Sequence, residues 1–224
     1  GNINYDCDAN ASNNSLGGIV GWPHKEGGAG KSLKNCENAG TITVTGLSKT
    51  RVGGISGGCI AIADCINRGK IYLKSGQTSC TIGGIAGVAA GVHPVTGCES
   101  YGEIISDVKL AGAQGGSASG IAGIIGATYN QANLKVNGCT AACDITAPEG
   151  STAFMLIGVV GSNKAVTTVN ELGTADAPNV VSGGSVTLGS TKTAMTSETY
   201  LTKAFPWGTG APANANIAYN VIWK

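Results

Sequence analysis

The chain has 224 residues, enough for one domain or one array of repeats. With 37 glycines, 12% charged residues and 5% aromatic residues, a compact core built on Phe and Trp is excluded, and the material left for a core is Ile, Val, Leu, Ala and Cys. A net charge of +1 gives no reason to expect nucleic acid or an acidic membrane surface as a partner. No apolar run reaches about 18 residues, so no transmembrane segment is expected. No signal peptide is visible, and the opening Gly1-Asn2-Ile3-Asn4-Tyr5 lacks Met and reads as a fragment of a longer chain.

Two motifs alternate along the chain. Asp6-Cys7-Asp8 reads as the remnant of an early copy, 29 residues before Cys36. Gly17-Gly18-Ile19-Val20-Gly21 opens the first motif, a small apolar strand. A long segment, Trp22 to Gly30, separates it from Cys36-Glu37-Asn38-Ala39-Gly40-Thr41-Ile42, the first full copy of the second motif. Thr41-Ile42-Thr43-Val44-Thr45 alternates at period two, which predicts a strand with Ile42 and Val44 inward. Next come Gly53-Gly54-Ile55-Ser56-Gly57, Cys65-Ile66-Asn67-Arg68-Gly69-Lys70-Ile71, Gly83-Gly84-Ile85-Ala86-Gly87 and Cys98-Glu99-Ser100-Tyr101-Gly102-Glu103-Ile104. Ser119-Gly120-Ile121-Ala122-Gly123 is taken as the fourth copy of the first motif, and Ile157-Gly158-Val159-Val160-Gly161 as a degenerate fifth. Between them stands Cys139-Thr140-Ala141-Ala142-Cys143-Asp144-Ile145, with Cys143 where the others have Gly.

The first motif therefore recurs at steps of 36, 30, 36 and 38. Two interleaved motifs at one period mean one structural unit per turn, and units that cannot bury their apolar face alone do so by stacking. Cys and Ile lie six apart, so both point to one face at strand period. Gly40, Gly69 and Gly102 fall where a turn with positive φ is expected. The expected fold is all-β, a right-handed parallel β-solenoid of about five turns, with an antiparallel β-sandwich as the alternative. Residues 1–184 form the array. Residues 185–224 are expected to close it, with a short helix over Thr196 to Leu201, a final strand over Ile217 to Trp223, and Trp223 as a cap.

The alternation of Gly-Gly-Ile-Val-Gly with Asn35-Cys36-Glu37-Asn38-Ala39-Gly40-Thr41-Ile42 resembles the GLUG-motif repeats of surface proteins from gut bacteria. Val186 to Ala194, and on to Trp207-Gly208-Thr209-Gly210, is similar to the closing unit of such arrays. The resemblance implies secretion, display on the bacterial cell surface and an adhesin-like role. It carries over no catalytic residue.

Each candidate site has a plainer reading beside it. Cys36, Cys65, Cys98 and Cys139 share one repeat position. Strands about 4.8 Å apart are too far for a disulfide, which needs Cβ atoms about 3.8 Å apart, so these four read as a ladder of free thiols. A bridge among Cys59, Cys80 and Cys143 stays open. Gly27-Gly28-Ala29-Gly30-Lys31-Ser32 imitates a phosphate loop but has Lys25 where the motif needs Gly, and it leads into a strand. No metal site or other cofactor is called for, since His24 and His93 are two units apart and no zinc spacing exists. Glu37 and Glu99, and Glu103 beside Lys70, make too thin a constellation for a polysaccharide-cleaving site, so no catalytic residues are assigned and an enzyme is not expected. The binding candidates are Trp22, His24, Tyr129 and Trp207, residues whose rings suit sugars, set among loop amides; the plainer reading of each aromatic is a turn or an end plug. Two functions remain open: an interaction module that binds a glycan or a surface protein through loops on one edge, and a spacer within a larger surface protein.

Overall fold

The computed structural model describes residues 1–7, 14–22, 32–46, 49–58, 60–90, 93–112, 119–128, 134–160, 169–195, 218–219 and 221–224. These are all-β and stack as a parallel β-solenoid. A full coil contributes one short strand to each of five sheets, named I to V in chain order. The third coil shows the full course. Ala61–Ala63 lies in sheet IV, Ile66–Asn67 in V, Ile71–Leu73 in I, Thr81–Gly83 in II and Ala86–Ala89 in III. Among the described residues the sheets hold 7, 5, 3, 6 and 6 strands in that order. Every pairing is parallel except one hairpin, Ser185–Leu188 against Thr191–Ala194. This rules out the antiparallel sandwich.

In-register stacking turns repeat positions into columns. Ile42, Ile71, Ile104 and Ile145 pair in sequence and are fully buried, as are Ile62 and Val95 in sheet IV. Ile42–Gly46 buries Ile42 and Val44, as its alternation predicts. Cys65, Cys98 and Cys139 are buried in the same core, so ladder Cys and Ile do point inward together, although a corner places them on neighbouring sheets. Small side chains suffice because the coils wrap closely round one narrow interior.

The register corrects several expectations. Ile85 donates its N–H to Ile124, and Gly83 pairs with Ala122. The fourth copy of the first motif is therefore Ala122-Gly123-Ile124-Ile125-Gly126, three residues later than the sequence suggests. Ile125 pairs with Ile157, which makes the fifth copy Phe154-Met155-Leu156-Ile157-Gly158. Both errors have one cause: overlapping Gly-Ile-x-Gly patterns match the motif equally well in one dimension. Cys7 pairs with Gly46 in sheet I and is not an early ladder cysteine.

The role expected of Gly40, Gly69 and Gly102 is also corrected. Their φ values are not positive. A Cβ on Gly69 would run into the carbonyl oxygen of Gly40, and one on Gly102 into that of Gly69. Glycine is needed there for the approach of one coil to the next. The left-handed turn sits instead just before each ladder cysteine, at Asn35 (φ 53), Asp64 (φ 53), Gly97 (φ 61) and Gly138 (φ 66). The first motif is close-packed in a similar way. A Cβ on Gly87 would lie 2.7 Å from the Val52 nitrogen, so sheets II and III meet backbone to backbone.

The C-terminal residues pair onto the same sheets. Ser185–Leu188 extends sheet I on Asp144–Ala147, Ala218–Tyr219 joins Val169–Leu172, and Val221–Trp223 joins Asn179–Val181. The expected helix over Thr196 to Leu201 lies outside the described residues, as does the side chain of Trp223.

Ile55 is fully buried in the main core beneath the first motif. Ile55→Asp should cost several kcal/mol, because a lone carboxylate there has no partner. Loss of the β signal in circular dichroism at 25 °C is expected; an unchanged melting temperature would mean that the motif faces solvent.

Candidate functional site

The thiol ladder is the most regular polar feature of the interior. The register aligns Cys36, Cys65, Cys98 and Cys139 in consecutive coils. Each thiol donates to the carbonyl two residues back: Cys36 to Lys34 at 3.3 Å, Cys65 to Ala63 at 3.2 Å, Cys98 to Thr96 at 3.3 Å and Cys139 to Asn137 at 3.6 Å. The left-handed residue between them sets up this short reach. Contacts also pass between coils. The Cys36 N–H points at the Cys65 sulfur at 3.4 Å, and the Cys98 thiol reaches the Ile62 carbonyl at 3.7 Å. In the fifth rung Asn179 takes the column. Its Oδ1 accepts from the Cys139 N–H at 2.9 Å, and its Nδ2 donates to the Val136 carbonyl at 2.8 Å. A buried amide thus performs the same two tasks as the thiols.

All six cysteines described in full are free, including Cys80 and Cys143, so no bridge joins that pair; Cys59 lies outside the described residues. Burial pushes the Cys65 thiol up to about 11 and the Cys143 thiol up to about 12. Cys98 is raised further still, by its hydrogen bond with Cys139 and then by burial. Such thiols stay protonated and are poor nucleophiles. They fill space and satisfy backbone groups.

A second column runs beside the ladder. Asn38 Nδ2 donates to Asn67 Oδ1 at 2.8 Å, while the Gly40 N–H donates to Asn38 Oδ1 at 3.1 Å. Both asparagines are buried. Their hydrogen bonds hold the tight glycine corner in register.

The solvent side of sheets V and I carries several charged residues, and sheet IV carries the pair Lys135–Glu171 at 3.1 Å. Glu37, Ile66 and Glu99 share a column, as the spacing implies. Arg68 pairs with Glu37 at 3.2 Å and Lys70 with Glu103 at 3.0 Å. These are exposed pairs of small energetic weight. The Tyr101 hydroxyl donates to Glu99 at 2.7 Å, and Arg68 lies over the Tyr101 ring at 5.0 Å. The Tyr72 hydroxyl donates to Asp107 at 2.6 Å, with Lys70 and Lys74 over its ring. Those acceptors raise the pKa of each phenol. Among the described residues no group of three His, Cys, Asp or Glu side chains is arranged to hold a metal. The sequence reading missed both tyrosines, although both stand beside charged repeat positions.

Of the binding candidates, Trp22 is described; His24, Tyr129 and Trp207 lie outside the described residues. Trp22 is 48% exposed, and the Arg51 guanidinium lies 5.0 Å from its ring centre. Trp22 stands two residues after Val20, as Val88 stands two after Ala86, and Val20 and Ala86 flank Ser56 in one column. It thus heads the stripe formed deeper in the stack by Val88, Ala127 and Val159. The described residues flanking His24 and Tyr129 belong to the same corner, where sheet III gives way to sheet IV. His93 is at that corner too, half-buried, with its N–H on the Ala90 carbonyl at 2.9 Å. At the phosphate-loop imitation, Ser32–Lys34 is a strand and no helix opens.

The fold and these surfaces define a parallel β-solenoid with a closed, small-side-chain interior. No protein-family model matches the chain, and no curated protein or solved structure is significantly similar to it.

Two measurements check the ladder. A maleimide, applied without reductant, should label Cys36 in the native chain and reach Cys65, Cys98 and Cys139 only after unfolding; disulfides among the four would contradict the parallel stack. The pH dependence has a defined sign. The ordinary thiol value is 9.0 and the folded values lie above it, so the thiols' stabilisation is complete below pH 9. It is lost as pH rises through about 11 at Cys65 and about 12 at Cys143. The melting temperature should fall over that window, and fall less in Cys65→Ala.

Proposed function

We propose that this chain is a non-catalytic interaction module of a secreted or bacterial cell-surface protein, adhesin-like and of the GLUG-repeat kind. It binds a glycan or a surface protein through the edge where sheet III passes to sheet IV. The observation that carries this reading is Trp22: a half-exposed indole, oriented by Arg51, at the head of that edge. A flat apolar ring beside a guanidinium suits a sugar face with a polar or acidic substituent. The raised thiols and the mutually paired surface charges support a reading without catalysis. Among the described residues no helix is long and apolar enough to cross a membrane.

A second reading is favoured by the regular stack. Six strands in sheets IV and V span about 24 Å at about 4.8 Å per step, a stiff rod suited to holding another domain away from a surface.

A glycan array and a cell-binding assay on the chain distinguish the readings. Specific binding that Trp22→Ala weakens about tenfold, the value of one good stacking contact, is expected. Binding unaffected by that substitution would move the site elsewhere, absence of binding would leave the spacer, and release of sugar from a polysaccharide panel would make the protein an enzyme.

A further inference from the structure

Two neighbouring rows on the outward face of sheet I carry opposite charge. In the third coil the row is Lys70, Tyr72 and Lys74; in the fourth it is Glu103, Ile105 and Asp107. The register sets Tyr72 beside Ile105, with Lys70 and Glu103 on one flank and Lys74 and Asp107 on the other. Lys74, Glu103 and Asp107 are exposed, and Lys70, Tyr72 and Ile105 are half-buried. Each row is a ring or an aliphatic side chain between two like charges. The adjoining rows are short side chains: Thr41, Thr43 and Thr45 in the second coil, Asp144 and Thr146 in the fifth.

We propose that this face joins two copies of the chain about a two-fold axis that runs along the strands, midway between the third and fourth coils. Such an axis keeps each residue's place along its strand and exchanges the two coils. Lys70 of one copy then faces the partner's Glu103, Lys74 faces the partner's Asp107, and Tyr72 faces the partner's Ile105, each contact occurring twice. The second coil falls on the fifth, so that Thr43 meets the partner's Thr146. Sheets packed face to face lie about 10 Å apart, a gap that Lys and Glu side chains span. Charge complementarity selects a second copy as the occupant, because each row matches the next row of the same molecule. Sheet V has no such match: its outward column is Glu37, Ile66, Glu99, Thr140 and Val180, and the same operation sets Ile66 against Glu99.

No existing pair is broken to make the contact. Within one chain Lys70 holds Glu103 at 3.0 Å, and Asp107 accepts from the Tyr72 hydroxyl at 2.6 Å. The two-fold brings a further cation to each carboxylate. The matched area is on the order of 400 Å² from each copy, about half that of a standard interface, so the dimer is a weak one with a Kd on the order of 100 μM. It is independent of Trp22 and of glycan binding.

Sedimentation equilibrium of the whole chain, from below that Kd to tenfold above it, tests the proposal. A dimer at low salt is expected, weakened about tenfold in about 0.5 M salt, and unchanged in Trp22→Ala. Two variants carry the specific test: Lys70→Glu with Lys74→Glu, and Glu103→Lys with Asp107→Lys. Each makes both rows alike in charge and is expected to be monomeric alone, with the β signal in circular dichroism retained. Mixed, one copy is negative in both rows and the other positive, and a one-to-one heterodimer is expected. A chain that stays monomeric at low salt overturns the proposal. So does a dimer that salt leaves unchanged or strengthens, which is read on the unaltered chain and stands even where a variant fails to fold. Dimers that persist in either folded variant alone, or folded variants that do not pair when mixed, overturn it as well.

Discussion

The structure depends on one constraint: each coil hydrogen-bonds to the next in parallel and in register. A residue's nearest neighbours are then its own equivalents one repeat away. Glycine columns let backbones touch, isoleucine columns fill the centre, and asparagine and cysteine columns satisfy polar groups that a narrow interior would otherwise strand. Substitution at one rung is therefore felt as a mismatch with two others. Asn179 shows what the constraint permits, since it departs from cysteine in size but keeps the same accepting and donating directions.

Much of this was legible in the sequence because columns leave periodic traces. The alternation of Ile42 and Val44, the thiol ladder and the parallel topology all follow from spacing. The register of the fourth and fifth coils was not legible. Gly120-Ile121-Ala122-Gly123 and Gly123-Ile124-Ile125-Gly126 are nearly the same string, and only pairing with Ile82 and Ile85 tells them apart. The purpose of Gly69 was misread for a related reason. A glycine required by a neighbouring chain and one required by its own φ look alike in sequence. The true left-handed positions carried a signal that was overlooked, namely Asn, Asp, Gly and Gly before the four cysteines.

The candidate site was less accessible because binding surfaces in such a stack carry no periodic requirement. Trp22 is singular in the sequence, and its place at the head of the Val88 stripe emerges only from the register. Tyr72 and Tyr101 occupy outward repeat positions with different residues in neighbouring coils, so nothing in the pattern singles them out. Their hydroxyls and the flanking cations form a solvated polar lattice in which each acid already has a partner. Column positions thus secure the fold, while the outward and corner positions are left free to vary.

The hairpin at Thr191–Ala194 gives sheet I a sense of direction. Its last strand runs backwards, and the exposed Lys192 would place a charge in any new seam. The hairpin therefore acts as a guard on that side: a strand laid beyond Thr191–Ala194 would bring its exposed lysine into the new seam.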